Sequence, residues 1–251
     1  DKNQPQYMGG ILEIAGDRLY GFWNNLTEAL KTGLPQTEIK DSGESMFAKL
    51  YASPERLEQF MSAMSGVSAG NFLAFSKAFD FSAYTTLCDV GGATGQLSCM
   101  VAAAQAHMTC TSFDLAPVKP IAERCIGEAG LSDRVTAVAG DFFTDPLPKA
   151  DVITMGMILH DWNLERKKAL IQKAYEALPE GGAFVVIEAL IDDARRENAF
   201  GLLMSLNMLI EFGEAFDYSG ADFDGWCKAA GFKRTEVMPL SGPSSAAIAY
   251  K

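Results

Sequence analysis

Apolar positions change their spacing once along this chain, near residue 80. Before that point Met8, Ile11, Leu12, Ala15, Leu19, Phe22, Trp23, Leu26 and Leu30 recur at steps of three and four, which predicts one long amphipathic helix. Thr32-Gly-Leu-Pro35 ends it, with glycine just past the last turn and proline beyond. The same spacing predicts a second helix over 54–65 and a third over 69–79. From residue 85 short apolar runs alternate with helical stretches. Strands are predicted over 85–90, 108–113, 134–139, 150–155, 183–188, 233–238 and 246–250. Helices are predicted from Gly95, over 164–178, over 198–212 and over 221–230. This alternation is that of an α/β protein with a mostly parallel sheet covered by helices on both faces, preceded by an α-helical segment. It divides the chain into a helical part, 1–80, and a sheet-containing part, 81–251. The helix over 198–212 is apolar nearly all round, so one side packs on the sheet and the other lines a pocket or meets a partner.

With 251 residues, 48% of them hydrophobic, the chain has material for a full core. A net charge of −11 and an isoelectric point near 4.7 exclude a nucleic-acid surface, which needs clustered Lys and Arg. The densest basic runs, Arg166-Lys-Lys168 and Arg195-Arg196, are expected on the solvated faces of helices. Five cysteines without C-x-x-C spacing point to a reduced, cytoplasmic setting. No apolar run is long enough to span a bilayer, and the first residues do not resemble a signal peptide. The lack of an initiating methionine suggests a fragment of a longer protein.

Candidate chemistry gathers where predicted strands end. Cys88-Asp-Val-Gly-Gly-Ala-Thr-Gly95 is an apolar strand running into a glycine-dense turn and a helix, the geometry in which α/β proteins receive nucleotide-like cofactors. The dinucleotide fingerprint G-x-G-x-x-G is not satisfied. Asp114, after the next strand, suits ribose hydroxyls; Asp141 with Phe142, after the third, suits an adenine amino group and its ring face. Each acid alone reads as a solvated loop residue; three in succession at one sheet edge carry the argument. His160 follows the fourth strand at the same edge, where imidazole suits proton abstraction from a hydroxyl. The plain alternative is a helix-start histidine bonded to backbone, and His107 is read that way. Glu188, at the end of the fifth strand, or Asp217, in the loop after the all-apolar helix, would orient the imidazole, although Glu188 is equally readable as a strand-end residue facing water.

The motifs Asp89-Val-Gly-Gly92, Gly140-Asp-Phe-Phe143, Leu159-His-Asp-Trp162 and Glu180-Gly-Gly182, in this order and spacing, resemble the S-adenosylmethionine-dependent O-methyltransferases of the caffeate, hydroxyindole and antibiotic-tailoring type. Weaker matches extend the resemblance over nearly the whole chain, from Tyr7-Met-Gly-Gly10 and Tyr20-Gly-Phe-Trp23 through Leu50-Tyr51 to Ala229-Ala-Gly-Phe232.

The resemblance implies a Rossmann-like seven-stranded sheet that binds S-adenosyl-L-methionine and releases S-adenosyl-L-homocysteine. It implies that Gly91, Gly92 and Gly95 surround the methionine part, that Asp114 holds the ribose and that Asp141 with Phe142 holds the adenine. Asp89, Leu115 and Met155 complete the implied cofactor positions. His160 is the implied general base, flanked by Glu188 and, by a looser match, Asp217. Phe60, Met64, Met157, Met208 and Phe212 match positions that line the acceptor pocket, though each is equally readable as core. The acceptor is then a small hydroxylated, flat, phenolic molecule, with no metal, nucleic acid or membrane required.

Three departures stand out. Ala93 replaces a usual glycine, which is tolerable only with ordinary backbone angles. Gly156 stands where some members carry a lysine. The family also begins with a further winged-helix dimerisation domain, so a homodimer is expected when that domain is present. Competing readings are a cofactor-binding relative with hydroxylase or decarboxylase chemistry, and an inactive binding fragment.

Overall fold

The structure is a computed structural model that describes residues 9–40, 47, 51 and 53–251. Tyr7, Met8 and Leu50 lie outside the described residues. Seven strands form one sheet: β1 (Thr86–Val90), β2 (Thr109–Asp114), β3 (Val135–Ala139), β4 (Val152–Gly156), β5 (Ala183–Glu188), β6 (Arg234–Pro239) and β7 (Ser245–Tyr250). Their spatial order is β3-β2-β1-β4-β5-β7-β6. The first five are parallel; β7 runs antiparallel between β5 and β6. The order reverses between β1 and β4, so the crevice beyond their carboxyl ends is where ligands bind in such sheets.

Periodicity of two explains the layers. In β5 every residue is buried, with Phe184 and Val186 entering one core and Ala183, Val185 and Ile187 the other. The first core is closed by α7 (Leu164–Ala177) and α9 (Gly220–Ala230), through Leu170, Ile171, Ala174, Phe223 and Cys227. The second is closed by α4 (Pro54–Ala78), α5 (Gln96–Ala104) and α6 (Lys119–Glu128), through Phe72, Phe75, Leu97, Val101 and Ile126. Ser219 and Asp222 start α9 with a reciprocal capping box, an exchange worth on the order of 1 kcal/mol.

The helical part differs from the sequence reading. The long first helix is divided into α1 (Gly9–Ile14), a π-helical turn (Ala15–Leu19), α2 (Tyr20–Trp23) and α3 (Leu26–Thr32), the last ending on left-handed Gly33 as expected. The division lets polar groups dock on α8 (Ala199–Phe212). Arg18 reaches Glu211 at 2.8 Å, and Trp23 Nε1 donates to Asn207 Oδ1 at 3.1 Å. Conversely, the two helices expected over 54–79 are the single helix α4. Small residues along it serve close contact: Gly10 packs on Ala63, and Ser65 Oγ lies 3.0 Å from Thr94 Oγ1 in the glycine turn. A capping Ser53 and Pro54 in the first turn start it.

Arg195 and Arg196 lie in a turn rather than on a helix, because Asp192 accepts the backbone N–H groups of Arg196, Glu197 and Asn198. Arg166 and Lys168 are exposed as expected, but Lys167 between them is fully buried.

Candidate active site

Three turns meet at the carboxyl edge of the sheet. In the turn after β1, Gly91 takes a φ of +72°, and a Cβ there would come within 2.3 Å of Ile158 from the turn after β4. The glycine is therefore demanded by both conformation and space. Phe142, after β3, meets the Trp162 ring edge-on at 6.0 Å. Asp114 ties the arrangement together: Oδ2 accepts the Ala93 N–H at 2.9 Å and Oδ1 the Leu115 N–H at 2.7 Å. Burial pushes its carboxyl up to about 6, against these two bonds. Ala93 has a φ of +48°, so the sequence-based expectation of ordinary angles at this residue is overturned. The bond to Asp114 holds a conformation that a methyl-bearing residue rarely takes.

Gly156 also has a local reason. A Cβ there would lie 2.8 Å from the Phe72 ring of α4, so an aromatic side chain takes the space where a longer residue was considered. Asp89 is 3% exposed, accepts from Thr154 Oγ1 at 2.7 Å, and is pushed up to about 7 chiefly by burial. It joins β1 to β4 from within. Asp141 Oδ1 caps the Phe143 N–H at 2.8 Å. Met155 is fully buried among core residues on β4.

His160 sits in a 3-10 turn, Leu159–Asp161, directly after β4 and is 3% exposed. Its Nδ1 lies 3.3 Å from Asp217 Oδ1 and its Nε2 3.4 Å from Asp161 Oδ1. Glu188 performs a different task from the one expected of an orienting acid. Its Oε1 accepts the backbone N–H groups of Ile158 and His160, each at 3.2 Å, and so fixes the turn rather than the ring. The Asp217 backbone N–H is in turn held by Ser205 Oγ at 3.1 Å. Burial opposes charge on the imidazole, but Asp161, Asp217 and Glu188 outweigh it and push His160 up to about 10. Burial pushes Asp161 up to about 7, against the attraction of His160, and pushes Glu188 upward as well. His107, by contrast, bonds the Phe81 carbonyl through Nε2 at 3.1 Å, a backbone partner as expected, but it stands in the turn between α5 and β2 rather than at a helix start.

An aromatic wall stands beside this cluster. Phe47 stacks on Phe212 at 5.7 Å and lies 5.9 Å from Trp162 and 6.1 Å from Tyr51. Burial, with the charges of Asp114 and Asp161, pushes the Tyr51 hydroxyl upward. Phe60, Tyr51 and Ala93 all pack against the small cluster of Leu57, Met61 and Val118, and Met64 lies half-buried one turn beyond Phe60 along α4. Met157, with a φ of +56°, is half-buried, whereas Met208 is buried. The wall is thus built by Phe47, Tyr51, Trp162 and Phe212, of which sequence reasoning singled out only the last. Asp161 and Lys167 were missed too. Lys167 was legible: it stands three, four and seven residues before Leu170, Ile171 and Ala174, on the apolar stripe of α7.

Chemically, the glycine turn with Asp114 and the Asp141-Phe142 pair suits a nucleoside carrying an amino-acid tail. Two buried polar atoms beside that turn, Ser112 Oγ and Gln96 Oε1, have no hydrogen-bond partner among the described residues, so the protein leaves polar capacity there for a ligand. The sheet order, the glycine turn and an imidazole at one edge define a Rossmann-like domain of the kind that receives such a nucleoside.

The O-methyltransferase domain family matches residues 23–233. Over the full 251 residues the chain is 38% identical to the tetracenomycin polyketide synthesis 8-O-methyl transferase TcmO of Streptomyces glaucescens, spanning 73% of that protein. It is 34% identical over 91% of its length to the N,N-dimethyltransferase OxyT of Streptomyces rimosus, spanning 66% of it. Human N-acetylserotonin methyltransferase in complex with SAM superposes with a TM-score of 0.90 at 28% identity, over 99% of this chain and 72% of that one. The chain belongs to the S-adenosylmethionine-dependent O-methyltransferase family.

Proposed function

We propose that this protein methylates a hydroxyl of a small, flat, phenolic metabolite, with His160 as the general base. The observation that carries the reading is the joint placement of His160 and Asp217 at the sheet edge that also bears the glycine turn and Asp114. S-adenosyl-L-methionine supplies an activated methyl group on a sulfonium. Asp114 accepts the ribose hydroxyls with the lone pairs that Ala93 and Leu115 leave free; Asp141 and Phe142 hold the adenine, and the turn from Gly91 to Gly95 follows the amino-acid tail. Phe47, Tyr51, Phe60, Trp162 and Phe212 hold an aromatic acceptor against His160, and the helical part, 1–80, provides one wall through α4. Much of the rate comes from this positioning. His160 takes the hydroxyl proton, Asp217 stabilises the imidazolium that results, and Glu188 keeps the turn from moving.

The acceptor class is supported by relatives named for such substrates. One is a 3-hydroxy-5-methyl-1-naphthoate 3-O-methyltransferase of Streptomyces sahachiroi, 30% identical over 96% of this chain. Another is the O-methyltransferase NcsB1, solved with SAM and 2-hydroxy-5-methyl naphthoic acid, at a TM-score of 0.81 and 28% identity. A nitrogen acceptor is the second reading, favoured by the similarity to an N,N-dimethyltransferase. Mass spectrometry of a panel of hydroxyaromatic and aminoaromatic compounds incubated with S-adenosylmethionine tests both. Oxygen-methylated phenols support the first reading; methylation confined to amines overturns it.

The proposed assembly is a homodimer, supported by exposed apolar side chains. Leu12, Tyr20, Leu30, Phe200 and Leu203 are all more than two-fifths exposed on α1, α2, α3 and α8. Sedimentation analysis reads this out, with a monomer at micromolar concentration as the refuting result. Five free cysteines suit a reducing, cytoplasmic setting, and among the described residues no helix is long and apolar enough to cross a membrane.

A further inference from the structure

The chain passes from β3 to β4 through turn and loop, 140–151, where parallel strands are usually joined by a helix. Asp141 and Phe142 therefore stand on a segment with no regular ladder of its own. Its entry is fixed by the Gly140 N–H, which donates to the Asp114 carbonyl at 2.9 Å. Inside the turn the Asp145 N–H donates to the Asp141 carbonyl at 2.7 Å, and Asp145 Oδ2 accepts the Asp141 N–H at 2.8 Å. Asp141 Oδ1 accepts the Phe143 N–H, also at 2.8 Å.

The carbonyls of Phe142 and Asp145 turn instead to Lys173 of α7, whose Nζ donates to them at 2.5 and 2.6 Å. A lysine amine carries three donors, so one side chain serves both carbonyls. A cation is also the charge that the carbonyl end of a helical turn favours. Seven residues earlier, on the same face of α7, the Arg166 guanidinium lies 4.9 Å from the Phe143 ring and 5.1 Å from the Trp162 ring. Phe142 is thus held at both ends, its carbonyl by Lys173 and its ring by Phe143 at 4.8 Å and Trp162 at 6.0 Å.

We propose that Lys173 is a positioning residue for the adenine of the cofactor: its bonds to the Phe142 and Asp145 carbonyls hold the 141–145 turn in the form in which the Asp141 carboxylate and the Phe142 ring meet the base. This rests on the reading of Asp141 and Phe142 as the adenine pair. Lys173 acts through the turn and not on the reacting atoms, so its effect falls on cofactor affinity and not on the methyl-transfer step.

Calorimetry with S-adenosylhomocysteine, with competition by S-ribosylhomocysteine, which lacks the base, separates adenine contacts from those to the ribose and tail. Lys173→Met should weaken S-adenosylhomocysteine about tenfold and leave S-ribosylhomocysteine within about twofold. KM for S-adenosylmethionine should rise by the same factor, while kcat at saturating cofactor stays within about twofold. Lys173→Arg, which again offers donors to both carbonyls, should recover most of the affinity. Where Lys173→Met does not fold, Lys173→Gln reads the same ratio of the two ligands.

A side chain that only supports the fold would weaken both ligands alike when replaced. Equal losses therefore overturn the proposal, as does unchanged affinity for S-adenosylhomocysteine. Phe142→Ala tests the adenine reading separately. If that variant loses S-adenosylhomocysteine affinity and Lys173→Met does not, the adenine reading stands and the role of Lys173 fails. If Phe142→Ala binds S-adenosylhomocysteine as the parent protein does, the adenine reading itself fails and the proposal falls with it.

Discussion

The imidazole of His160 and the carboxylate of Asp217 lie 3.3 Å apart, although one follows the fourth strand and the other a loop beyond α8. Nothing local brings them together. Their contact depends on α8 lying across the turn that carries the histidine and on Ser205 Oγ holding the Asp217 backbone. It fixes the orientation of an imidazole that local sequence places only after a strand.

Replacing His160 by alanine should lower turnover about a hundredfold or more while leaving cofactor affinity nearly unchanged. Single-turnover kinetics and calorimetry with S-adenosylmethionine separate the two effects. Turnover within threefold of the parent protein would remove the base assignment.

Asp217→Asn should move the acidic limb of the pH–rate profile. Nearby carboxylates hold the His160 proton up to about 10, so the limb of the parent protein lies well above the ordinary histidine value. Removing one carboxylate weakens the hold on the proton, and the limb moves to lower pH. A shift in the opposite direction, or none, would show that Asp217 does not face the imidazole in solution.

Asp89→Asn should stabilise the fold increasingly as pH rises from 4 to 7. The folded-state value of Asp89 is raised to about 7 by burial, above its unfolded value, so the folded chain retains a proton that the unfolded chain loses in that window. Stability contributed by this residue therefore falls as pH rises through it. The asparagine variant is free of that loss and keeps an acceptor for Thr154 Oγ1. Denaturant midpoints at pH 4.5 and 7.5 measure the difference, and a constant offset would refute the assignment.

Gly156→Ala should destabilise the protein by about 1–3 kcal/mol, because its methyl group meets the Phe72 ring. Combining it with Phe72→Leu should recover part of the loss. Additive effects in the double variant would show that the two residues do not share the space.

Asp114→Asn should weaken S-adenosylmethionine binding about tenfold or more, since the carboxylate both fixes the Ala93 conformation and offers ribose acceptors. Calorimetry reads the affinity, and thermal unfolding reads the accompanying loss of the turn. Unchanged affinity would remove Asp114 from the cofactor site.

Local order along the chain was enough for the sheet and for the edge at which the chemistry gathers. The fifth strand matches its expected bounds because its unbroken apolar run has to be buried on both faces. The strand-end residues Asp114, Asp141, His160 and Glu188 fall at one edge because parallel strands share a direction. Glycine turns, caps and acids after strands are short-range signals, set by the backbone angles and side chains of neighbouring residues.

Tertiary packing decided what those signals mean. It divided the first helix and fused α4, because small residues permit close contact as readily as they end helices. It turned Glu188 onto backbone N–H groups, gave Asp217 the imidazole, and buried Lys167 against the Trp162 carbonyl and the Phe216 ring. A side chain's charge state and partner depend on groups distant in the chain and on the water that packing excludes, so no spacing along the sequence records them.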